Sequence, residues 1–549
     1  MPNSSGPIIV QSDKTVLLET GNALAGEARH ELSVFAELER APEHMHTYRL
    51  TRLGLWNARA AGHSSEWMLE ILEKYSKFPI PPIVSDYITE TVERYGKLQI
   101  VPAGDAIELT STDEAVMLQI RKNKKIAELI EDSGDKHKVT VLPWARGSLK
   151  QELTKLGWPA DDLAGYAPGD PLDVELEKTK KWSLRHYQVD AINRFWDGGS
   201  GVVVLPCGAG KTLVGAGVMA KADTHTLILV TNSVAAAGWR RELLMRTNLT
   251  EDEVGEYSGT VKDLKPVTIA TYQILTAKTK GEYKHLEILN SKNFGLVIYD
   301  EVHLLPAPVF KLTADLQAKR RLGLTATLIR EDGRETDVFS LIGPKRFDAP
   351  WKDLEAEGFI APALCKEVRV NLTDDERLEY AAAEDRERYR LAGTTPAKIE
   401  AVRSILKLHE GEPTLVIGQY LDQLDQIAEE IDAPVLTGKT PVEERKVLFD
   451  DFRAGRIPVL VVSKVANFSV DLPDATVAIQ ISGTFGSRQE EAQRLGRLLR
   501  PKADGRSAHF YSVVTRETSD QEFAANRQRF LAEQGYPYEI IDLDELANA

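Results

Sequence analysis

From about residue 180 onward, short runs that are apolar at nearly every position alternate with amphipathic stretches. The runs are 201–205, 226–230, 267–270, 296–299 and 322–324. A strand with one wet face alternates apolar and polar residues. A run that does not alternate is buried on both faces, as in a parallel strand covered by helices. A second series begins near Glu412, with runs at 414–417, 459–462, 475–481 and 509–513. The pattern predicts two doubly wound, parallel-sheet α/β domains, at residues 176–360 and 406–549. Between them, within residues 361–405, the stretch from Arg369 to Lys398 is helical in pattern, rich in Glu and Arg, and poor in core positions. It predicts an exposed helical insertion.

The N-terminal third is patterned differently. Residues 8–18 read as one short alternating strand. From Leu53 to Val101 the spacing turns helical, with Ser64 as N-cap before Trp67, Leu69, Ile71 and Leu72. Pro79, Pro81 and Pro82 break the chain. A second helix follows through Ile88, Val92 and Tyr95, Gly96 ends it, and 98–101 read as a strand. This order fits a winged-helix-like module and a generic small α+β domain equally, over residues 1–130. Residues 131–175 form a further small unit, with a strand at 139–142 and a linker from Leu163 to Val174 that carries Gly165, Pro168, Gly169 and Pro171.

Length and composition narrow the picture. A chain of 549 residues exceeds what one core supports, so roughly three to four domains are expected. No apolar run reaches the roughly 18 residues of a membrane span, and Met1 to Pro7 lacks the apolar core of a signal peptide. A cytoplasmic, nucleoid-associated protein with no membrane partner is expected. The two cysteines, Cys207 and Cys365, exclude a disulfide framework. A net charge of -15 does not favour nucleic-acid binding. Local basic tracks nevertheless occur at Arg121, Lys122, Lys124 and Lys125, at 319–321, and across Arg494, Arg497, Arg500 and Lys502. Each reads equally well as a solvated charged face.

The chemistry is concentrated just after the apolar runs. The first passes into Leu205, Pro206, Cys207, Gly208, Ala209, Gly210, Lys211 and Thr212, where a helix starts. Glycines let the backbone wrap phosphate oxygens, and the helix N-terminus stabilises their charge. Lys211 would reach the β- and γ-phosphates and the Thr212 hydroxyl would hold Mg²⁺. Leu205 stands where the common phosphate-loop pattern has glycine. About ninety residues on, the run 296–299 ends at Asp300 and Glu301. Asp300 would hold Mg²⁺, mostly through water, and Glu301 would orient or deprotonate the attacking water. His303 would link this site to the next motif. Gln493, Gly496, Arg497 and Arg500 form QxxGRxxR on a helix of the second α/β domain, and arginines there would stabilise charge on the transferred phosphoryl group. Thr231, Asn232, Thr271, Tyr272 and Gln273 follow strand ends and are candidates for contacts to a nucleic-acid backbone.

Together these residues resemble the superfamily 2 helicases, and the resemblance narrows to the XPB (xeroderma pigmentosum group B) family in its bacterial form. Leu184 to Gln188 is similar to the family's adenine-reading segment, with Arg185 and with Gln188 as the base contact. Asp300 to His303 is the DEVH box. Thr325, Ala326 and Thr327 match the motif that couples hydrolysis to domain movement, and Arg330, Glu331 and Asp332 match the RED triplet. The phosphate loop from Leu205 to Thr212 matches too, including its missing first glycine. The resemblance covers about residues 180–535. It implies two RecA-like domains, a thumb-like element in the charged insertion, and a damage-recognition-like unit before residue 176. Before Asp471, Ser463 to Asn467 departs from the glycine-aspartate pair of eukaryotic members.

The resemblance also implies ATP with Mg²⁺ as cofactors and 3′-to-5′ unwinding of single-stranded or forked DNA in nucleotide excision repair or related transactions. The chain would act as a monomer, with a repair nuclease or other repair proteins as partners. Two rival readings stand beside it: a double-stranded DNA translocase that does not separate strands, and a DNA- or protein-binding module regulated by ATP.

Overall fold

A computed structural model describes residues 5–547, except 42–43, 105, 133, 143–144, 165–168, 178–181, 207, 278–284, 286–288, 290–291, 306–317, 319, 327–334, 350, 464–474, 484–506, 534–535 and 537. Cys207, Thr327, Arg330, Glu331, Asp332, Asp471, Gln493, Arg497 and Arg500 therefore lie outside the described residues. The chain divides into two compact units, Met1–Leu205 with Gly210–Ala349, and Pro206–Ala209 with Pro350–Ala549. No helix among the described residues is long and apolar enough to cross a membrane.

The first unit opens with a four-stranded antiparallel sheet. The single strand expected over 8–18 is a hairpin of Ile8–Val10 and Thr15–Glu19. Asp13 Oδ1 accepts from the Thr15 amide at 3.0 Å, and Lys14 turns the chain in the left-handed region at φ 72°. Met45–Arg49 and Glu37–Arg40 complete this sheet. Helices Arg52–Ala60, Ser65–Tyr75 and Pro82–Arg94 follow, and Ser64 caps the second through the Trp67 amide.

A five-stranded sheet comes next, in the order Ile130–Glu131, Lys138–Val141, Ala106–Thr110, Leu98–Ala103, Ala160–Asp162. It shares one core with helices Glu114–Lys122 and Arg146–Leu156. The boundary expected between residues 130 and 131 would cut this sheet, because Ile130 pairs with Val141. The first strand of that sheet in sequence is Leu98–Ala103. Local periodicity cannot reveal this, since Leu98–Ala103 and Ala106–Thr110 find their partners Ala160–Asp162 and Lys138–Val141 across intervening helices.

The expected linker is a strap. The Asp170 amide donates to the Asn293 carbonyl at 2.8 Å, the His225 amide to the Asp170 carbonyl at 2.8 Å, and the Glu177 amide to the Arg246 carbonyl at 2.9 Å. Gly169 sits at φ +81°, and a Cβ there would lie 2.2 Å from the Gly295 amide nitrogen. Glycine allows the strap to lie against the backbone of its neighbour.

Seven parallel strands form the α/β sheet of this unit, in the order Val254–Tyr257, Val267–Thr271, Thr226–Val230, Leu296–Asp300, Arg320–Thr325, Gly201–Val204, Lys345–Asp348. Because all run the same way, Leu205, Thr231, Tyr272, Glu301 and Ala326 emerge at one edge. The second unit has its own seven-stranded parallel sheet: Val435–Leu436, Val459–Ser463, Thr414–Gly418, Val477–Gln480, Ala508–Thr515, Ala363–Val370, Tyr538–Asp542. Ala363–Val370, expected in the insertion, is thus a sheet strand. Helix Ala397–Leu408 buries Ile399, Val402 and Ile405 in the same core. What remains exposed is helix Asp374–Ala382, which buries no residue, whereas helix Asp385–Thr394 buries Tyr389 and Ala392.

Candidate active site

The phosphate loop turns on two glycines in the left-handed region, Gly208 at φ +81° and Gly210 at φ +82°. The Ala209 amide donates to the Pro206 carbonyl at 3.2 Å, and the Leu205 amide to the Thr325 carbonyl at 2.9 Å. Gly210 is the N-cap of helix Lys211–Ala222, its carbonyl accepts from the Leu213 and Val214 amides at 3.0 and 3.2 Å, and the N-terminal end of such a helix favours an anion. A Cβ at Gly210 would lie 2.4 Å from Gln188 Nε2. Gln188 is buried, and its Oε1 accepts from the Arg185 amide at 2.9 Å. Its side chain packs the loop and caps helix His186–Gly198. Arg185 is the N-cap of that helix and donates to the Tyr187 hydroxyl.

Lys211 Nζ lies 2.6 Å from Glu301 Oε1. Asp300 ends its strand, and Glu301 takes the left-handed conformation at φ 49°, ψ 54°. An acidic side chain adopts that region at a cost, and such strain gathers at functional sites. His303 is buried, with Nδ1 2.6 Å from Thr325 Oγ1 and 3.5 Å from Glu301 Oε2. Burial and the adjacent Glu301 charge push the Asp300 carboxyl up to about 6, against the pull of Lys211 and a hydrogen bond from Trp239. Burial acts on Glu301 in the same sense, but Lys211 and His303 outweigh it and hold that carboxylate below its usual range.

The residues fit a Mg²⁺-nucleotide. Thr212 and Asp300 offer hard oxygen donors, and no group of three or more His, Cys, Asp or Glu among the described residues could hold a metal. One or two protein oxygens plus phosphate and water are what Mg²⁺ takes in nucleotide sites.

The set proposed for backbone contacts divides. Thr231 and Asn232 are partly exposed and Gln273 is exposed. Thr271 and Tyr272 are buried, 6% and 3% exposed, and cannot meet a ligand from solvent. The reason is local: Thr271 is the last residue of its strand, and the Tyr272 ring turns inward so that its hydroxyl donates to the Asp300 carbonyl at 2.6 Å. Thr325 and Ala326 are buried as well. Trp239 escaped the reading of the motifs. It donates to Asp300 Oδ2 at 2.9 Å. The signal available was a tryptophan on the buried side of helix Ser233–Arg246, with Ala236 and Leu243, whose N–H needs an acceptor when buried.

A glycine loop entering a helix, with an acid pair at a nearby strand end, on the first of two parallel seven-stranded sheets, defines the RecA-like helicase class. Family models agree. ERCC3/RAD25/XPB C-terminal helicase matches residues 354–548, type III restriction enzyme res subunit matches 181–330, and helicase conserved C-terminal domain matches 8–132. The chain is 62% identical to the DNA 3′-5′ helicase XPB of Mycobacterium tuberculosis, over 99% of both chains. It is 61% identical to that of Kineococcus radiotolerans, over 99% of this chain and 98% of the relative. The general transcription and DNA repair factor IIH helicase/translocase subunit XPB of Encephalitozoon cuniculi is 32% identical, over 99% of this chain and 84% of its own length. The chain belongs to the XPB helicase family.

Proposed function

We propose that the chain is an ATP-dependent DNA helicase that unwinds in the 3′-to-5′ direction and serves DNA repair. The observation that carries the reading is the Lys211–Glu301 pair at 2.6 Å beside Asp300, at the mouth of a phosphate loop. Without nucleotide, Lys211 neutralises Glu301. A γ-phosphate competes for Lys211, and Glu301 is then released to take a proton from water. Thr212 and Asp300 would hold Mg²⁺, whose charge stabilises the transferred phosphoryl group. His303 joins Glu301 to Thr325 and so carries the state of the site toward the segment 325–332. Arg497 and Arg500, from the second α/β domain, are the proposed source of transition-state charge, and Gln493 belongs to the same QxxGRxxR motif. Single-stranded or forked DNA is the proposed partner, with repair proteins, a nuclease among them, acting alongside, and a cytoplasmic, nucleoid-associated setting.

Lys211→Ala should abolish DNA-stimulated ATP hydrolysis while its circular-dichroism melting curve stays within a few degrees of wild type. Normal turnover in that variant would sink the assignment. The relative named helicase/translocase favours a second reading, movement on duplex without strand separation. Displacement of a triplex strand with no unwinding of a fork would select it.

A further inference from the structure

Asp300 receives two aromatic donors that belong to neither the phosphate loop nor the acid–base chemistry. The indole N–H of Trp239 donates to Asp300 Oδ2 at 2.9 Å, and the hydroxyl of Tyr272 donates to the Asp300 carbonyl at 2.6 Å. Both side chains are buried, each 3% exposed. They come from the two segments that carry Thr231, Asn232 and Gln273. Asn232 Oδ1 accepts from the Ala235 amide and caps helix Ser233–Arg246, and Trp239 lies in the second turn of that helix. Tyr272 directly precedes Gln273, whose Nε2 donates to the Thr231 carbonyl at 2.8 Å. The two segments are tied together where they meet solvent, and both end on Asp300 where they are buried. Trp239 also touches the phosphate-loop helix. A Cβ on Gly215 would lie 2.5 Å from Trp239 Cη2, so glycine is what seats the indole there.

We propose that Trp239 and Tyr272 are positioning residues that relay occupancy of Thr231, Asn232 and Gln273 by a nucleic-acid backbone to the carboxylate of Asp300. The proposal rests on the functional reading above, in which those polar groups meet DNA and Asp300 holds Mg²⁺. Neither aromatic group can meet a phosphate, because neither reaches solvent. Each instead restrains one part of Asp300. The indole sets the rotation of the carboxylate. The phenol sets the peptide plane that leads into the left-handed Glu301. Hydrogen bonds weaken steeply outside a narrow range of distance and angle, so a small shift of either segment changes how Asp300 presents its oxygens.

A merely structural role predicts lost stability with coupling intact; a relay predicts the reverse. Trp239→Phe keeps an aromatic ring and removes the N–H, and Tyr272→Phe removes only the hydroxyl. In the full chain, three quantities are read: affinity for a single-stranded oligonucleotide, the factor by which it raises ATP hydrolysis, and Mn²⁺ affinity of the ADP-bound protein, by electron paramagnetic resonance with and without the oligonucleotide. Oligonucleotide affinity should stay within about twofold while the stimulation factor falls about tenfold, in the range of ordinary coupling between sites. The oligonucleotide should also cease to alter Mn²⁺ affinity. Because both donors act on one residue, the double variant should lose less than the two single losses combined. Unchanged stimulation in both single variants overturns the proposal, as does a fall in stimulation matched by an equal fall in oligonucleotide affinity. If Trp239→Phe does not fold, Tyr272→Phe carries the comparison alone. A wild-type chain whose hydrolysis the oligonucleotide does not raise overturns the functional reading instead.

Discussion

Glu301 shows how much one side chain depends on its neighbours. Burial alone would favour its protonated form, and Lys211 and His303 hold it ionised. A general base must be ionised and also released at the right moment. In the proposed mechanism, competition between Glu301 and a phosphate for Lys211 would supply both. Glu301→Gln keeps the shape but cannot accept the proton. Nucleotide affinity should be retained within about tenfold and hydrolysis should fall by about 10²-fold or more, the usual scale for a lost acid–base group. Equilibrium nucleotide binding and single-turnover hydrolysis measure the two separately. Equal loss of both would mean that Glu301 acts in binding and not in the chemical step.

At the scale of elements, the second unit contains a buried ion pair. Lys398 and Asp520 are 0% and 1% exposed, and Lys398 Nζ lies 2.7 Å from Asp520 Oδ2. The ammonium also donates to the Ile481 carbonyl at 2.7 Å and the Val513 carbonyl at 3.0 Å. One side chain thus ties helix Ala397–Leu408 to the ends of two strands and to helix Ser519–Glu533. Burial lowers the pKa of Lys398, and the partnership with Asp520 opposes that shift. Removing one member of such a pair leaves a buried charge, so Lys398→Met should destabilise the unit by about 3–5 kcal/mol. Denaturant unfolding followed by circular dichroism checks this. A loss under about 1 kcal/mol would mean that Arg527, 3.7 Å from Asp520 Oδ1, takes over the pairing. The sequence read this lysine as part of an exposed charged insertion. It sits between Ala397 and Ile399 at the end of a stretch rich in Glu and Arg, and no local pattern announces a partner 122 positions away.

Across the first unit, the small N-terminal sheets are seated on the α/β domain. Phe339 packs 6.0 Å from Trp56 and 6.5 Å from Tyr95, centroid to centroid. Arg346 donates to the carbonyls of Gly198, Ser200 and Ala60, the C-terminal ends of two helices. The strap then runs over the domain from Gly169 onward. Deletion boundaries should follow this geometry. A chain lacking residues 1–162 keeps the strap, whereas one lacking 1–175 leaves the carbonyls of Asn293 and Asp223 and the amide of His225 without their partners. The longer deletion should melt several degrees lower by calorimetry. Equal melting temperatures would mean that water replaces the strap at no cost.

What the sequence determined by itself was set by short-range physics. Buried parallel strands must be apolar at every position, a phosphate loop must be glycine-rich before a helix, and an acid pair must follow a strand end. Each condition is visible within about ten residues, and so Gly208, Gly210, Lys211, Thr212, Asp300 and Glu301 were legible. What only tertiary structure decided was pairing and facing between distant segments. The five-stranded sheet crosses the expected boundary at residue 131, the linker is a strap, and Tyr272 turns inward to Asp300 while Gln273 stays exposed. A strand end carries the same residues whether its next side chain meets solvent or core. Only packing against the neighbouring strand and helix settles that choice, because the buried hydroxyl and indole must find acceptors, and each finds one on Asp300.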